Sequence, residues 1–456
     1  MDNDNQKTVQ GLSRKLADFT VRLDLKTLPQ KVLDNAKIAI LDCLGVAVLA
    51  SSQEIGEVLL NFAHKNGSAG SCTVWGTRTT SSPRDTALLN GALAHGLDYD
   101  DRNHASTYTL AASMAAAESR NASGARALEA FIVGREVRMA LDAVFSKRST
   151  GIGPGAKGWH SNGILGPIAS ACSASKIWEL DSHQTLTAIG LAAGSCGALT
   201  RDGGTMAKPF RAGHAAATGI TCALLAREGF TGDERPLEGR YGLLEALGPL
   251  PDDVLGVLGK SLGSEFDLER SGVMIKPFSS CTATHAALEA TLRLAQKHTV
   301  SPLDVDSIEC DLKPYPLVRQ HPKRGFEGRF SMPFCLAIAL VHRQLKPGDF
   351  TNARVEEPLV QELMRRTHHT PGSDFVTVLL KGGTRLTESI QPATDLHGWD
   401  QASQKFNDSV GGVLSDAKRM DVLESVSRLE KLSSVRLLTG ALQAENLPNQ
   451  NGVNND

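Results

Sequence analysis

The sequence predicts a mainly α-helical protein that carries a smaller mixed α+β segment toward its C-terminal half. Three observations lead there. Only 5% of the 456 residues are aromatic, while Gly alone supplies 43 and Ala is abundant. That composition suits close-packed helices joined by glycine turns better than a β-sandwich. From Leu12 to about Phe230, apolar residues recur at helical spacing and little alternates with the strand period. After about Lys260 alternating runs appear.

Taken in order, Leu28-Pro29 opens a helix whose apolar face is Val32, Ala36, Ile38, Ala39, Leu41 and Leu44. It continues into Gly45-Val46-Ala47-Val48-Leu49-Ala50, where small side chains let a second helix approach closely. Further Ala- and Gly-rich helices are expected over 85–96, 111–118, 128–141, 164–174, 184–198 and 215–227. Each is bounded by Gly, Pro, Ser or Asp clusters. Ser307-Ile308-Glu309-Cys310-Asp311-Leu312 then alternates as a half-buried strand does. Residues 375–380 and 385–390 read as a β-hairpin, and the Gly382-Gly383 step supplies the positive φ angles of its turn. Helices are expected at 283–298 and 355–366, and again after Trp399 at 401–410 and 422–431. The polar tail from Asn446 to Asp456 is expected to be disordered.

Charge excludes some partners. The 48 basic and 50 acidic side chains leave a net charge of −2, without the basic excess of a nucleic-acid-binding domain. No run reaches the roughly 18 apolar residues that a membrane span needs. Met1-Asp2-Asn3-Asp4-Asn5-Gln6-Lys7 lacks the basic and apolar regions of a signal peptide. The eight cysteines are scattered singly, as reduced core thiols are. A cytoplasmic protein is expected. Phosphate-loop, H-E-x-x-H and G-x-S-x-G motifs are absent. Gly151-Ile152-Gly153-Pro154-Gly155 follows a basic stretch rather than a strand, which argues against a dinucleotide site. His368-His369 has no carboxylate or Cys cluster around it, so no metal site is expected there.

Four segments remain that bear chemistry. Ala94-His95-Gly96-Leu97-Asp98-Tyr99-Asp100-Asp101-Arg102-Asn103-His104 sets three carboxylates among histidines, so their pKa values must perturb one another. An acidic helix end facing water is the plainer alternative. Gly158-Trp159-His160-Ser161-Asn162-Gly163 places His160 just before an apolar helix, where it either caps the helix or meets an anion. Residues 201–214 concentrate Arg201, Lys208 and Arg211 in a glycine-rich loop fit for a polycarboxylate or phosphate, or simply for solvent. Finally, Lys276 and His285 flank a helix start that Thr282 or Thr284 could cap.

In this order the four segments resemble the MmgE/PrpD family. Asp42-x-x-Gly45-Val46-Ala47, Lys208-Pro209, Lys276-Pro277 with Thr284-His285, and Arg329-Phe330-Ser331 extend the likeness over roughly Leu12 to Lys405. The resemblance implies an all-helical domain built from both chain ends, residues 1–265 and 400–456, with an α+β domain inserted over 266–399. It also implies a homodimer, a small polycarboxylate substrate, and no metal or organic cofactor. By motif, Asp98, His160, Lys208 and His285 become catalytic candidates. Two positions depart from the decarboxylase and dehydratase branch: Arg102 where Thr is usual, and Tyr108 where His is usual. Tyr108 joins the proton-transfer candidates, and Arg102, Lys208, Arg211 and Lys276 are the expected substrate-binding cations. An added cation and a Tyr for His suit an epimerase of iminodisuccinate, which needs acid and base on opposite faces of one carbon and expels nothing. The alternative is a hydro-lyase or decarboxylase of a tricarboxylate.

Overall fold

The computed structural model describes residues 11–146, 157–248, 262–313 and 316–444, with only the backbone of 143–146. The Gly151–Gly155 run and the tail from Asn446 lie outside the described residues. The helices that position the site are α1 (Gln30–Ser51), α2 (Pro83–His95), α3 (Ala105–Ser119), α4 (Gly124–Ser146), α5 (Ser161–Ile177), α6 (Ala207–Arg227), α7 (Thr282–His298), α8 (Met332–His342) and α9 (Gly398–Val410). The chain is mainly α-helical.

The buried apolar residues fall into two clusters. One joins residues between Leu12 and Ile275 to residues between Ala402 and Leu442, so both chain ends share it. The other runs from Ala287 to Val378 and packs α7 and α8 beside a four-stranded sheet. That sheet contains β1 (Val305–Cys310), β2 (Thr367–His369), β3 (Phe375–Leu380) and β4 (Arg385–Ser389). Their order is β2-β1-β3-β4, with β1 parallel to β2 and antiparallel to β3. Among the described residues no helix is long and apolar enough to cross a membrane. All eight cysteines are free.

Several local expectations need correction. The β3–β4 turn closes through Gly383 N–H donating to the Leu380 carbonyl at 2.8 Å. Gly383 alone of the glycine pair has positive φ, 81°, so one left-handed residue is enough for this longer loop. The expected helix over 355–366 is two helices, Asn352–Glu356 and Pro358–Arg365. Pro358 has no N–H to continue the first and instead starts the second. Neither Thr282 nor Thr284 caps α7: Cys281 stands at its N-cap, and the Thr284 hydroxyl donates to the Cys281 carbonyl at 2.8 Å. The expected glycine-rich loop over 201–214 becomes helical at Ala207, which puts Lys208 and Arg211 on the first turns of α6.

The crossing of α2 and α6 fixes where that lysine points. Gly91 and Gly213 meet there, and a Cβ on Gly91 would lie 2.9 Å from the Gly213 Cα. A Cβ on Gly213 would overlap the Leu88 carbonyl oxygen. Backbone, not a flexible side chain, blocks the space. Gly213→Ala should therefore separate the helices and lower stability by about 1–3 kcal/mol, read by chemical denaturation.

Candidate active site

The acidic run forms the connection between α2 and α3. Asp98 and His104 both adopt left-handed backbone, with φ of 49° and 57°. Such conformations cost energy in non-glycine residues and persist only where surroundings over-determine them. Here the surroundings are buried charges. The Asp98 carboxylate accepts from Lys208 Nζ at 2.7 Å and from Lys276 Nζ at 3.1 Å. Burial alone would raise its pKa, but the two ammoniums hold it well below the ordinary carboxylate range.

Asp100, also buried and also held well below that range, organises two histidines. Its oxygens accept from Nδ1–H of His95 at 3.0 Å and of His104 at 2.7 Å. Each ring is thereby set with its Nε2 lone pair on the far side. His95 Nε2 accepts from Lys208 Nζ at 2.9 Å. His104 Nε2 lies 3.7 Å from the Asp98 carboxylate. Burial, despite neighbouring Asp100, lowers the His104 pKa to about 3, with Lys208, Lys276 and His95 adding to the effect. A neutral imidazole with a free lone pair is a general base in waiting. Across the cleft, His160 caps α5 by accepting the Asn162 N–H on Nδ1 at 3.3 Å, which leaves its proton on Nε2. Burial, then Lys208 and Arg211, holds His160 neutral as well.

These groups surround a cavity of about 290 Å³ lined by Asp98, His104, His160, Lys208, Cys281 and Phe330, among others. The starts of four helices meet there: His104 caps α3, His160 caps α5, Lys208 is in the first turn of α6, and Cys281 caps α7. Unpaired N–H groups and aligned dipoles make such ends attractive to anions.

Of the expected site residues, Asp98, His160 and Lys208 line this cavity and five do not. The Tyr108 phenol is fully buried and accepts from Arg138 Nε at 2.7 Å, and burial pushes its pKa up to about 12. Arg102 is spent on Asp395 at 2.7 Å. Lys276 sits beneath Asp98, donating also to its carbonyl at 2.8 Å. Arg211 is buried, 3.0 Å from the Asp202 carboxylate, with its guanidinium nitrogens otherwise without hydrogen-bond partners. His285 donates from Nε2 to the Ser280 carbonyl at 3.1 Å, leaving a buried Nδ1 without a partner. His95, Asp100 and His104 of the acidic run join the arrangement without being among the eight expected residues, and of these His104 lines the cavity. Its signal was its place four residues after Asp100 and directly before an apolar helix.

His95, Asp98, Asp100 and His104 offer ligand atoms within 4.8 Å of one another, a set able to hold a metal ion. The Lys208 ammonium stands between His95 Nε2 and Asp98 Oδ1, placing a positive charge within this set.

Comparison with known proteins identifies the family. The MmgE/PrpD N-terminal domain matches residues 14–253 and the MmgE/PrpD C-terminal domain matches residues 278–430. The chain belongs to the MmgE/PrpD family. Among its curated relatives are cis-aconitate decarboxylases. That of Mus musculus is 26% identical over 478 residues, covering 97% of this chain and 95% of the relative. That of Homo sapiens is 26% identical, with 96% of each chain covered. That of Aspergillus terreus is 23% identical, covering 93% of this chain and 94% of the relative.

The depressed His104 pKa has a measurable consequence. A histidine held neutral in the folded state but free to protonate when unfolded leaves stability unchanged above its unfolded pKa, near 6.5, and penalises the fold below it. That penalty grows as pH falls toward about 3, where the folded histidine protonates too. Relative to His104→Gln, the wild type should lose about 1.4 kcal/mol of stability per pH unit between roughly 6.5 and 4, read by denaturation at stepped pH.

Proposed function

We propose that this protein is a lyase acting on a small polycarboxylate, and specifically that it decarboxylates a cis-aconitate-type tricarboxylate. The observation that carries the reading is a lysine ammonium flanked by neutral histidines inside a cavity where four helices begin. Near-full-length similarity to cis-aconitate decarboxylases supports the choice of substrate.

The chemistry suits these groups. When carbon dioxide leaves from a carbon next to an alkene, the electron pair of the breaking C–C bond forms a new double bond. The old π pair moves to the far alkene carbon, which takes up a proton. The remaining carboxylates must be held by positive charge while negative charge develops beside one of them. Lys208 and the helix N-termini supply that field, and the Lys208 ammonium is the proton donor on the cavity wall. His160 offers Nε2–H to a substrate carboxylate, and the proton that Lys208 gives to carbon is replaced from water, for which His104 Nε2 is the acceptor on the cavity wall. Asp98 keeps Lys208 charged and aimed.

Epimerisation of iminodisuccinate drew on Arg102 as an added cation and Tyr108 as a proton donor. Arg102 is paired with Asp395 and Tyr108 with Arg138, and the relatives' names favour the lyase. A homodimer belongs to the same proposal. So does an α+β domain inserted into the helical one, expected over 266–399; the second apolar cluster supports it from Ala287 to Val378, while Leu268, Val273 and Ile275 pack in the helical cluster.

Incubation with cis-aconitate in deuterated water tests the reaction. Release of carbon dioxide with one deuterium in the product is expected. Deuterium entering iminodisuccinate without loss of carbon would overturn the lyase reading in favour of an epimerase. Lys208→Ala should lower kcat by about 10²–10³-fold while the fold is retained, read by steady-state kinetics beside circular dichroism.

A further inference from the structure

Three consecutive carbonyls of the acidic run are each held by a buried cation from a remote part of the chain. Arg329 Nε donates to the Leu97 carbonyl at 3.1 Å, Lys276 Nζ to that of Asp98 at 2.8 Å, and Lys405 Nζ to that of Tyr99 at 2.6 Å. A loop carbonyl needs one donor, which water or a backbone N–H ordinarily supplies. A buried full charge is an expensive substitute unless it is itself paired.

Lys405 is the informative member. It rises from α9, and its ammonium lies 3.7 Å from the Tyr99 ring centroid. It forms an ion pair with Asp42 of α1 at 2.7 Å, with both side chains buried. The two helices come close because Gly45 abuts Phe406, where a Cβ would lie 3.1 Å from Cδ2. Lys405 does not line the cavity, so holding substrate is not its task. The carbonyl it holds lies between Asp98, which aims Lys208, and Asp100, which sets the tautomers of His95 and His104.

We propose that Lys405, braced on Asp42, is a positioning residue that clamps Tyr99 and so fixes Asp98 and Asp100 in their working geometry. Arg329 and Lys276 complete the clamp at the two preceding carbonyls. The inference rests on the cavity being the active site. It assigns function to residues on α1 and α9, which bring no group to the cavity. Asp42 fits the part of brace: burial raises its pKa to about 6, and Lys405 restrains that rise.

The test compares wild type with Lys405→Met/Asp42→Asn, which removes both charges together, and with Lys405→Gln as a second variant. Each is first checked for a wild-type circular dichroism spectrum and a single thermal transition. In ¹⁵N-histidine spectra, His104 of the wild type should keep the Nδ1–H neutral form from pH 5 to 8. A folded variant should show tautomer averaging and protonation within that range. Its kcat on cis-aconitate should fall about 10- to 100-fold with KM within about threefold, as misaligned catalytic groups produce. A folded variant with unchanged His104 signals and wild-type kcat overturns the clamp. If the wild type itself does not decarboxylate cis-aconitate, the functional reading fails, and the histidine spectra alone still decide the clamp.

Discussion

The Asp98 carboxylate, buried between the ammoniums of Lys208 and Lys276, is the constraint on which the site is built. A buried anion without partners is not tolerated, so each lysine must be delivered to it from its own element. Lys208 arrives on the first turn of α6, held there by the glycine contact between α6 and α2. Lys276 arrives on a segment docked by the Ile275–Leu396 bridge and by Arg102 N–H on the Met274 carbonyl. With the carboxylate kept ionised, Lys208 has a fixed direction. With Asp100 also ionised, two imidazoles have fixed tautomers. The strained backbone at Asp98 and His104 is affordable only inside this web of contacts.

Anion affinity arises from a different source. Four helix starts at one cavity place positive dipole ends around a space of about 290 Å³. The histidines there do double duty. His104 and His160 occupy cap positions and also turn a nitrogen toward the cleft, so helix geometry sets where proton-transfer groups stand. The bulk charge of −2 conceals this, because the acids beside the cavity are neutralised locally by lysines drawn from distant sequence.

Much of the helical framework was legible because its apolar residues repeat every three or four positions and its ends carry Gly, Pro or Ser. Legibility failed where that physics is silent. Helix α8 is buried from Met332 to Leu340, so its sequence is apolar on all sides and has no period to read. The helical start of α6 was hidden by Gly203, Gly204 and Pro209, which signal a loop until Pro209 is recognised as a first-turn proline. Of the candidate side chains, Asp98, His160 and Lys208 were readable from their motifs. Arg102 and Tyr108 were not, because Asp395 lies 293 residues from Arg102 and Arg138 lies 30 from Tyr108.

The sequence by itself determined the helical class, the likeness to the MmgE/PrpD family and the motifs that bear charge. These are local properties: periodicity, turn chemistry and residue type at fixed spacing. Only the tertiary structure decided that Lys208 faces the cavity, that Arg102 is spent on Asp395, and that His104 lines the cavity with a neutral imidazole. Those outcomes depend on contacts between elements, and the Arg102–Asp395 pair joins residues 293 positions apart. A side chain's charge is written in its name, but its availability is set by the partner that folding brings to it.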